Sequence, residues 1–67
     1  MEKHIELNTF VKIMGLVGSG GEAKHLIRSG VITVDGEVET RNRRKLLSGM
    51  KIGYNGKSYI ITDSQVR

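Results

Sequence analysis

The first part of the chain shows a strand-like alternation followed by a helix-like repeat of apolar residues. Ile5 and Leu7 alternate with polar neighbours, which predicts a short N-terminal strand. Asn8 is a residue type that commonly caps helices, so a first helix is predicted to begin there. The apolar face of this helix is predicted to contain four residues at helical spacing: Phe10, Val11, Met14 and Val17.

A second helix is framed by sequence signals at both of its ends. Ser19 and Glu22 stand three positions apart, which is the spacing of a capping box at a helix N-terminus. The helix is predicted to run from about residue 20 to residue 29, and Gly30 follows where a left-handed C-terminal stop is expected. Its buried face is predicted to consist of Ala23, Leu26 and Ile27.

Two dipeptides in the second half of the chain predict tight β-hairpin turns. Asp35-Gly36 follows an alternating apolar run and precedes a return strand over about residues 37–40. Asn55-Gly56 separates the runs 51–54 and 57–62. Both dipeptides favour the positive φ angles that two-residue hairpin turns require. The fold class is therefore α+β, with two N-terminal helices packed on a small antiparallel sheet built from two hairpins.

Length and composition narrow the classes of protein to which the chain can belong. Its 67 residues suit a single domain, residues 1–67, with one modest core. The chain contains no cysteine, so disulfides and thiolate metal sites are excluded and the fold must rely on apolar packing and turns. No apolar run approaches the roughly 20 residues of a membrane helix, and the N-terminal segment, residues 1–4, is not a signal sequence. We expect a cytoplasmic monomer with no membrane partner.

Positive charge is concentrated in the second half of the chain, although the net charge is only +4. Residues 1–39 contain four Lys/Arg against six Asp/Glu, whereas residues 40–67 contain seven against one. Four of these cations fall within residues 41–45, here called the basic loop: Arg41, Arg43, Arg44 and Lys45. Like charges held this close repel one another, so the basic loop predicts a polyanionic partner.

The residue types of the basic loop favour phosphate as the anion. The planar guanidinium of arginine can bind two phosphate oxygens at once. Alternation along an extended segment would place Arg41 and Arg43 on one side and Arg44 on the other. We therefore predict a contact row of Arg41, Arg43 and Lys45, supported by Arg44. We expect these side chains to contribute little to the core.

The predicted helices add further cations. Lys24 and Arg28 stand four positions apart, away from the apolar face of the second helix, and Lys24 is the stronger candidate for a phosphate contact. Arg28 suits a phosphate and the negative end of the helix dipole equally well. Lys12, on the outer side of the first helix, is a secondary candidate. His25 is predicted to lie at the edge of the apolar face, partly buried and hydrogen-bonded.

A longer pattern carries a resemblance to a known family. Over about residues 4–62 the chain resembles the RNA-binding domain named after ribosomal small-subunit protein four, called the S-four domain or alpha-L motif. The first part of the pattern is Ala23-x-x-Leu26-Ile27-x-x-Gly30-x-Ile32-x-Val34-Asp35-Gly36. The continuation, Glu37-Val38-Glu39-Thr40-Arg41-x-Arg43-x-Lys45, looks like the small stand-alone members of this superfamily, the bacterial YbcJ type.

The resemblance implies a non-catalytic module that binds structured RNA, without a cofactor or small-molecule substrate. Family members grip RNA with the two helices and the adjoining loop, and ribosomal RNA or a ribosomal particle is the implied partner, with tRNA left open. Many members carry basic residues in the first turn of the second helix, where this chain has Gly20, Gly21 and Glu22. This departure suggests that the phosphate contacts have moved to Lys24 and the basic loop.

Other functions agree less well with the sequence. Two short helices joined by a Gly-rich turn resemble a DNA-binding helix-turn-helix, but the densest charge follows the hairpin rather than lining a recognition helix. A protein-interaction module that uses the basic loop on an acidic partner is a further alternative. Catalysis and metal binding have little support, because His4 and His25 lie far apart with no ligand cluster and no phosphate-binding loop motif is present. Aromatic residues are few, so recognition of RNA backbone and shape is favoured over base stacking.

Overall fold

A computed structural model of the protein describes residues 3–67 as two short helices and short antiparallel strands. Residues 1 and 2 lie outside the described residues. They belong to the N-terminal segment for which no signal sequence is predicted. The elements in chain order are β1 (Ile5–Glu6), α1 (Leu7–Ile13), α2 (Gly20–Arg28), β2 (Ile32–Val34), β3 (Glu37–Val38), β4 (Lys45–Leu46), β5 (Lys51–Tyr54) and β6 (Lys57–Ile60). The predicted α+β class is confirmed.

The two predicted hairpins join into one four-stranded antiparallel sheet of order β3-β2-β5-β6. In the central pair, Ile32 lies opposite Tyr54 and Val34 lies opposite Ile52. Alternate residues of a strand face the same side of the sheet, so these four side chains share the side that packs on the helices. The sheet and the helices therefore enclose a single core.

Both predicted hairpin turns are confirmed by their backbone angles. Asp35 and Gly36 have φ values of 51° and 88°, and Asn55 and Gly56 have values of 53° and 76°. Positive φ at both central residues is the geometry of a type I′ turn, which matches the twist of the flanking strands. The return strands are shorter than predicted, because β3 ends at residue 38 and β6 at residue 60.

The start of α1 differs from the prediction. The helix begins at Leu7, its N-cap is Glu6 rather than Asn8, and the Glu6 side chain makes no capping hydrogen bond. The first two helical N–H groups are satisfied from a distant part of the chain, whereas the third, that of Thr9, donates to the side-chain oxygen of Asn8 at 2.8 Å. The N–H of Leu7 donates to the carbonyl of Arg44 at 2.9 Å, and that of Asn8 donates to the carbonyl of Asn42 at 3.0 Å. The basic loop thus takes the place of an N-cap side chain.

The end of α1 also falls earlier than the apolar pattern suggests. The helix stops at Ile13, so the predicted face of Met14 and Val17 does not form. Met14 is the C-cap residue and is exposed, and Gly15 follows with a φ of 74°. Val17 still packs partly against the core, although it lies beyond the helix.

The capping signals of α2 are confirmed. The Ser19 hydroxyl accepts a hydrogen bond from the N–H of Glu22 at 3.2 Å, and the Glu22 carboxylate accepts one from the N–H of Gly18 at 3.2 Å. At the other end, Gly30 has a φ of 80°. This left-handed conformation after the last helical turn is the predicted C-terminal stop.

The buried face of α2 is narrower than predicted. Ala23 and Ile27, one helical turn apart, are fully buried, whereas Leu26 is only partly buried. Consecutive residues of a helix point about 100° apart, so Leu26 is turned away from the direction of Ile27. It lines a surface groove together with Leu16. His25 is exposed rather than partly buried, because it lies still further from the buried stripe.

The core collects residues from both helices and from segments that the periodicity did not assign. Phe10 is fully buried and contacts Tyr59 edge to face, with ring centroids 6.4 Å apart and planes at 73°. Leu46, Ile61 and Val66 are buried although they lie outside the predicted helices and hairpins or at their ends. The buried apolar residues are Ile5, Leu7, Phe10, Val11, Ala23, Ile27, Ile32, Val34, Leu46, Ile52, Ile61 and Val66.

A second, two-stranded sheet links the chain ends to the basic loop. Strands β1 and β4 pair antiparallel, with Ile5 opposite Leu46 and Glu6 opposite Lys45. His4 also exchanges backbone hydrogen bonds with Arg67 at 3.1 and 3.2 Å. Lys45 therefore lies on a strand, not in an irregular loop as predicted.

We expect the two neighbouring apolar residues of α2 to differ in their contribution to stability. Ile27→Ala should lower the free energy of unfolding by about 2–5 kcal/mol, because a fully buried side chain leaves a cavity. Leu26→Ala should cost clearly less, because Leu26 is partly exposed. Urea denaturation of the two variants beside the unaltered protein measures both values. An equal or larger loss for Leu26→Ala would contradict the observed orientation of the helix.

Candidate nucleic-acid interface

The basic loop is a turn fixed on the start of α1. The N–H of Arg44 donates to the carbonyl of Arg41 at 3.3 Å, which closes the turn. The Asn42 and Arg44 carbonyls accept from the first N–H groups of α1, so the loop backbone is held in place. The prediction that Arg41 and Arg44 project to opposite sides is wrong, because the segment is not extended.

Arg41 and Arg44 converge on the carboxylate of Glu39, which is only 7% exposed. Arg41 Nε lies 2.9 Å from Glu39 Oε2, and Arg41 Nη2 lies 3.0 Å from Oε1. Arg44 Nη1 lies 3.0 Å from the same Oε1, and the backbone N–H of Arg41 donates to Oε2 at 3.1 Å. One buried carboxylate therefore accepts four N–H bonds from the basic loop.

Glu39 lies where the pairing of β2 with β3 ends and the basic loop begins. Its N–H donates to the carbonyl of Ile32 at 2.9 Å, which extends the pairing of β2 with β3 by one residue. The strand pleat places Glu39 on the same side of the sheet as the buried Ile32. A charge held there needs an internal partner, which the two arginines supply.

Hydrogen bonding to the arginines sets the charge state of Glu39. The side-chain hydrogen bond from Arg41 lowers the pKa of Glu39 from 4.5 to about 2, and the further bonds from Arg41 and Arg44 act in the same direction. Burial opposes this effect, because it raises the pKa of a carboxyl group. The same hydrogen bond raises the pKa of Arg41. The Glu39 carboxylate therefore stays ionised well into the acid range.

The other two cations of the basic loop are more open to solvent. Arg43 Nε lies 3.0 Å from Glu6 Oε2, and the Arg43 side chain is 78% exposed. Lys45 lies opposite Glu6 in the β1–β4 pair and is exposed, and it forms no ion pair with any residue between 3 and 67. Arg43 and Lys45 are thus less engaged in the fold than Arg41 and Arg44.

The four cations line one shallow surface depression. Three of them form ion pairs with two carboxylates, Glu39 and Glu6, so the four cations exceed their ion-pair partners by two charges. The repulsion predicted from the sequence is therefore partly offset inside the protein. The expectation that these side chains contribute little to the fold is wrong for Arg41 and Arg44, because they neutralise a buried charge.

The predicted helix cations lie outside this depression. Lys24 and Arg28 are exposed on α2, and Lys12 is exposed in the last turn of α1. The Lys12 ammonium lies close to Gly20, the first residue of α2. The structure thus groups the loop cations in one place and sets the helix cations on the two helices. Their contact with RNA stays a prediction.

The two carboxylates that bind the loop arginines, Glu39 and Glu6, are not among the residues predicted from the sequence. Glu39 belongs to the alternating run of β3 and stands two residues before Arg41, so its side of the sheet could have been inferred from the alternation. Glu6 gives no such signal, because it lies 37 positions from Arg43 and meets it only through the pairing of β1 with β4.

The described part of the chain, residues 3–67, has no evident metal site. No group of three or more His, Cys, Asp or Glu side chains in that range is placed to hold a metal ion. No described helix has the length and apolar character needed to cross a membrane.

We expect Glu39 to make folding stability depend on pH in acid. Between pH 4.5 and 2 its carboxylate is ionised in the folded protein but largely protonated in the unfolded chain, so this stabilisation is lost as the pH falls. The loss between pH 5 and 2 should be on the order of 2–3 kcal/mol. Urea denaturation across this range should show a flatter profile for Glu39→Gln than for the unaltered protein.

Glu37→Gln is the matched control for this experiment. Glu37 lies two residues away on the same strand but is exposed and forms no ion pair within residues 3–67. Its variant should keep the steep acid profile. A Glu39→Gln variant with an equally steep profile would show that the Glu39 carboxylate is not held ionised by the arginines.

Comparison with known proteins assigns the fold and the loop to a family. Residues 1–62 match the S4 domain. The chain is 42% identical over 55 residues to "Putative RNA-binding protein YbcJ" of Escherichia coli (strain K12), across 82% of this chain and 79% of that protein. The same identity and coverage hold for "Uncharacterized protein YbcJ" of Shigella flexneri. The resemblance seen in the sequence is confirmed, and the chain belongs to the S4 domain family.

Proposed function

We propose that this protein binds structured RNA through backbone phosphates and carries out no catalysis. Membership of the S4 domain family and the name of the Escherichia coli relative support RNA as the class of ligand. The structural observation that carries the proposal is the depression lined by the four cations of the basic loop, with its excess of two positive charges. Ribosomal RNA, alone or in a ribosomal particle, is the proposed partner.

The aromatic residues support recognition of backbone rather than of unpaired bases. The chain has three, and Phe10 is fully buried while Tyr54 and Tyr59 pack partly against the core. Proteins that hold single strands usually stack bases on open aromatic rings. Phosphate contacts on a folded RNA need no such rings, since shape and backbone carry the recognition.

The cations divide into groups with different roles in this proposal. Arg43 and Lys45 are the main phosphate contacts, because they are exposed and least committed to the fold. Arg41 and Arg44 contribute the donors that Glu39 leaves unused. Lys24 extends the surface along α2, and Arg28 and Lys12 add weaker long-range attraction.

Removing Arg43 and Lys45 together should weaken binding to an RNA hairpin without unfolding the protein. If about five phosphates are neutralised, log K should fall with log salt at a slope of roughly −3.5 to −4.5. The Arg43→Ala/Lys45→Ala variant should lose two of these contacts, so its slope should flatten by about 1.4–1.8. Fluorescence anisotropy titrations over a range of salt concentrations measure both quantities.

Lys51→Ala/Lys57→Ala is the control for this pair of substitutions. It removes the same charge from exposed positions on the β5–β6 hairpin, neither of which lines the depression of the basic loop. Its salt slope should stay close to that of the unaltered protein. Equal slopes for the two double variants would mean that net charge alone, and not the basic loop, determines the affinity.

The identity of the RNA is tested in cells. Crosslinking of the protein followed by sequencing of the attached RNA should yield mainly ribosomal RNA, with reads concentrated at a folded segment. Competition in vitro between that segment and duplex DNA at equal salt should favour the RNA. Reads spread evenly over cellular transcripts, or equal competition by DNA, would contradict the proposed partner.

A further inference from the structure

We infer that Glu39 is a positioning residue for RNA binding: its buried carboxylate holds Arg41 and Arg44 in the orientation in which they meet phosphate. The inference rests on the proposed function and deepens it. Glu39 is negatively charged, like RNA, so charge alone predicts that it weakens RNA binding, whereas the inference is that it strengthens binding.

The hydrogen bonds fix each guanidinium at two of its three nitrogens. Arg41 uses Nε and Nη2 on Glu39, and Arg44 uses Nη1 on Glu39 and Nε on the carbonyl of Lys45 at 3.3 Å. This leaves Arg41 Nη1 and Arg44 Nη2 without a partner among residues 3–67. Since a guanidinium is planar, two bonds determine where its remaining N–H groups point.

The groups that hold the arginines are themselves anchored. The backbone of Glu39 is bonded to Ile32 in the four-stranded sheet, and the carbonyl of Arg44 is bonded to Leu7 at the start of α1. The Arg41 side chain nevertheless remains 71% exposed, and that of Arg44 remains 31% exposed. The two side chains are therefore accessible to a ligand, while the groups that hold them are fixed by backbone hydrogen bonds.

Ordering before binding has two consequences for affinity. A free arginine loses rotamer freedom when it binds phosphate, whereas one that is already ordered loses less. Two arginines held on one carboxylate also present their free N–H groups at a fixed separation, which suits a folded RNA whose phosphates are themselves fixed, while mobile arginines adapt to any strand. Glu39 should therefore strengthen binding and favour structured RNA over single strands.

A pair of isosteric substitutions separates positioning from charge. Glu37 lies on β3 and lines the same cleft as Glu39, Arg41 and Arg44, but it is exposed and forms no ion pair within residues 3–67. Glu37→Gln and Glu39→Gln change the net charge equally. Charge alone predicts that both variants bind RNA at least as tightly as the unaltered protein.

The experiment measures affinities for an RNA hairpin and for an unstructured RNA of the same length, using protein shown by its melting curve to be folded. Glu37→Gln should bind both RNAs as tightly as the unaltered protein or more tightly, with the same preference for the hairpin. Glu39→Gln should bind the hairpin about threefold to tenfold more weakly, with a reduced preference over the single strand. If it melts below the assay temperature, Glu39→Asp replaces it and should show a smaller shift in the same direction.

A second measurement does not depend on RNA. NMR relaxation of the arginine Nε–H groups should show ordered Arg41 and Arg44 in the unaltered protein and in Glu37→Gln, and mobile ones in Glu39→Gln. Tighter or unchanged hairpin binding by Glu39→Gln, an equal loss for both RNAs, or mobile arginines in the unaltered protein would each overturn the inference. Ordered arginines in a protein that binds neither RNA would instead refute the proposed function.

Discussion

The buried carboxylate of Glu39 is the interaction on which the proposed binding surface depends. Glu39 lies one residue beyond β3, bonded to the backbone of the buried Ile32, and its buried charge needs cationic partners. Arg41 and Arg44 reach it only if residues 41–44 form a turn, and that turn directs the carbonyls of Asn42 and Arg44 at the open N–H groups of α1. The ion-pair cluster, the loop conformation and the start of α1 are thus joined through the same four residues, 41–44.

Features determined by a few neighbouring residues could be predicted from the sequence. Asp35-Gly36 and Asn55-Gly56 adopt the expected turns because the preference for positive φ belongs to those residues themselves. The Ser19 cap and the Gly30 stop of α2 follow from equally local bonds. The family pattern could be recognised for the same reason, since most of it consists of turn residues and the apolar residues between them.

Features that depend on distant partners could not be predicted. Asn8 has a good capping side chain and accepts from the N–H of Thr9, but the carbonyls of the basic loop satisfy the two preceding N–H groups, so α1 begins at Leu7. Leu26 has helical spacing, yet only Ala23 and Ile27 are fully buried, and Leu26 packs against the edge of the core. The charge count located the cations correctly, but it could not show that Glu6, 37 positions from Arg43, shares in their neutralisation.

Whether a cation of the basic loop is an arginine or a lysine agrees with whether it forms an ion pair within the protein. All three arginines bind an internal carboxylate, whereas Lys45, which has no ion-pair partner among residues 3–67, is the lysine. A guanidinium has five N–H donors spread over two edges, so it can hold a carboxylate with one edge and a phosphate with the other. An ammonium is a point charge that would have to divide its attraction between the two anions. Under the proposed function, arginine can therefore serve the fold and the ligand at the same time, whereas lysine is sufficient where phosphate is the only anion to be met.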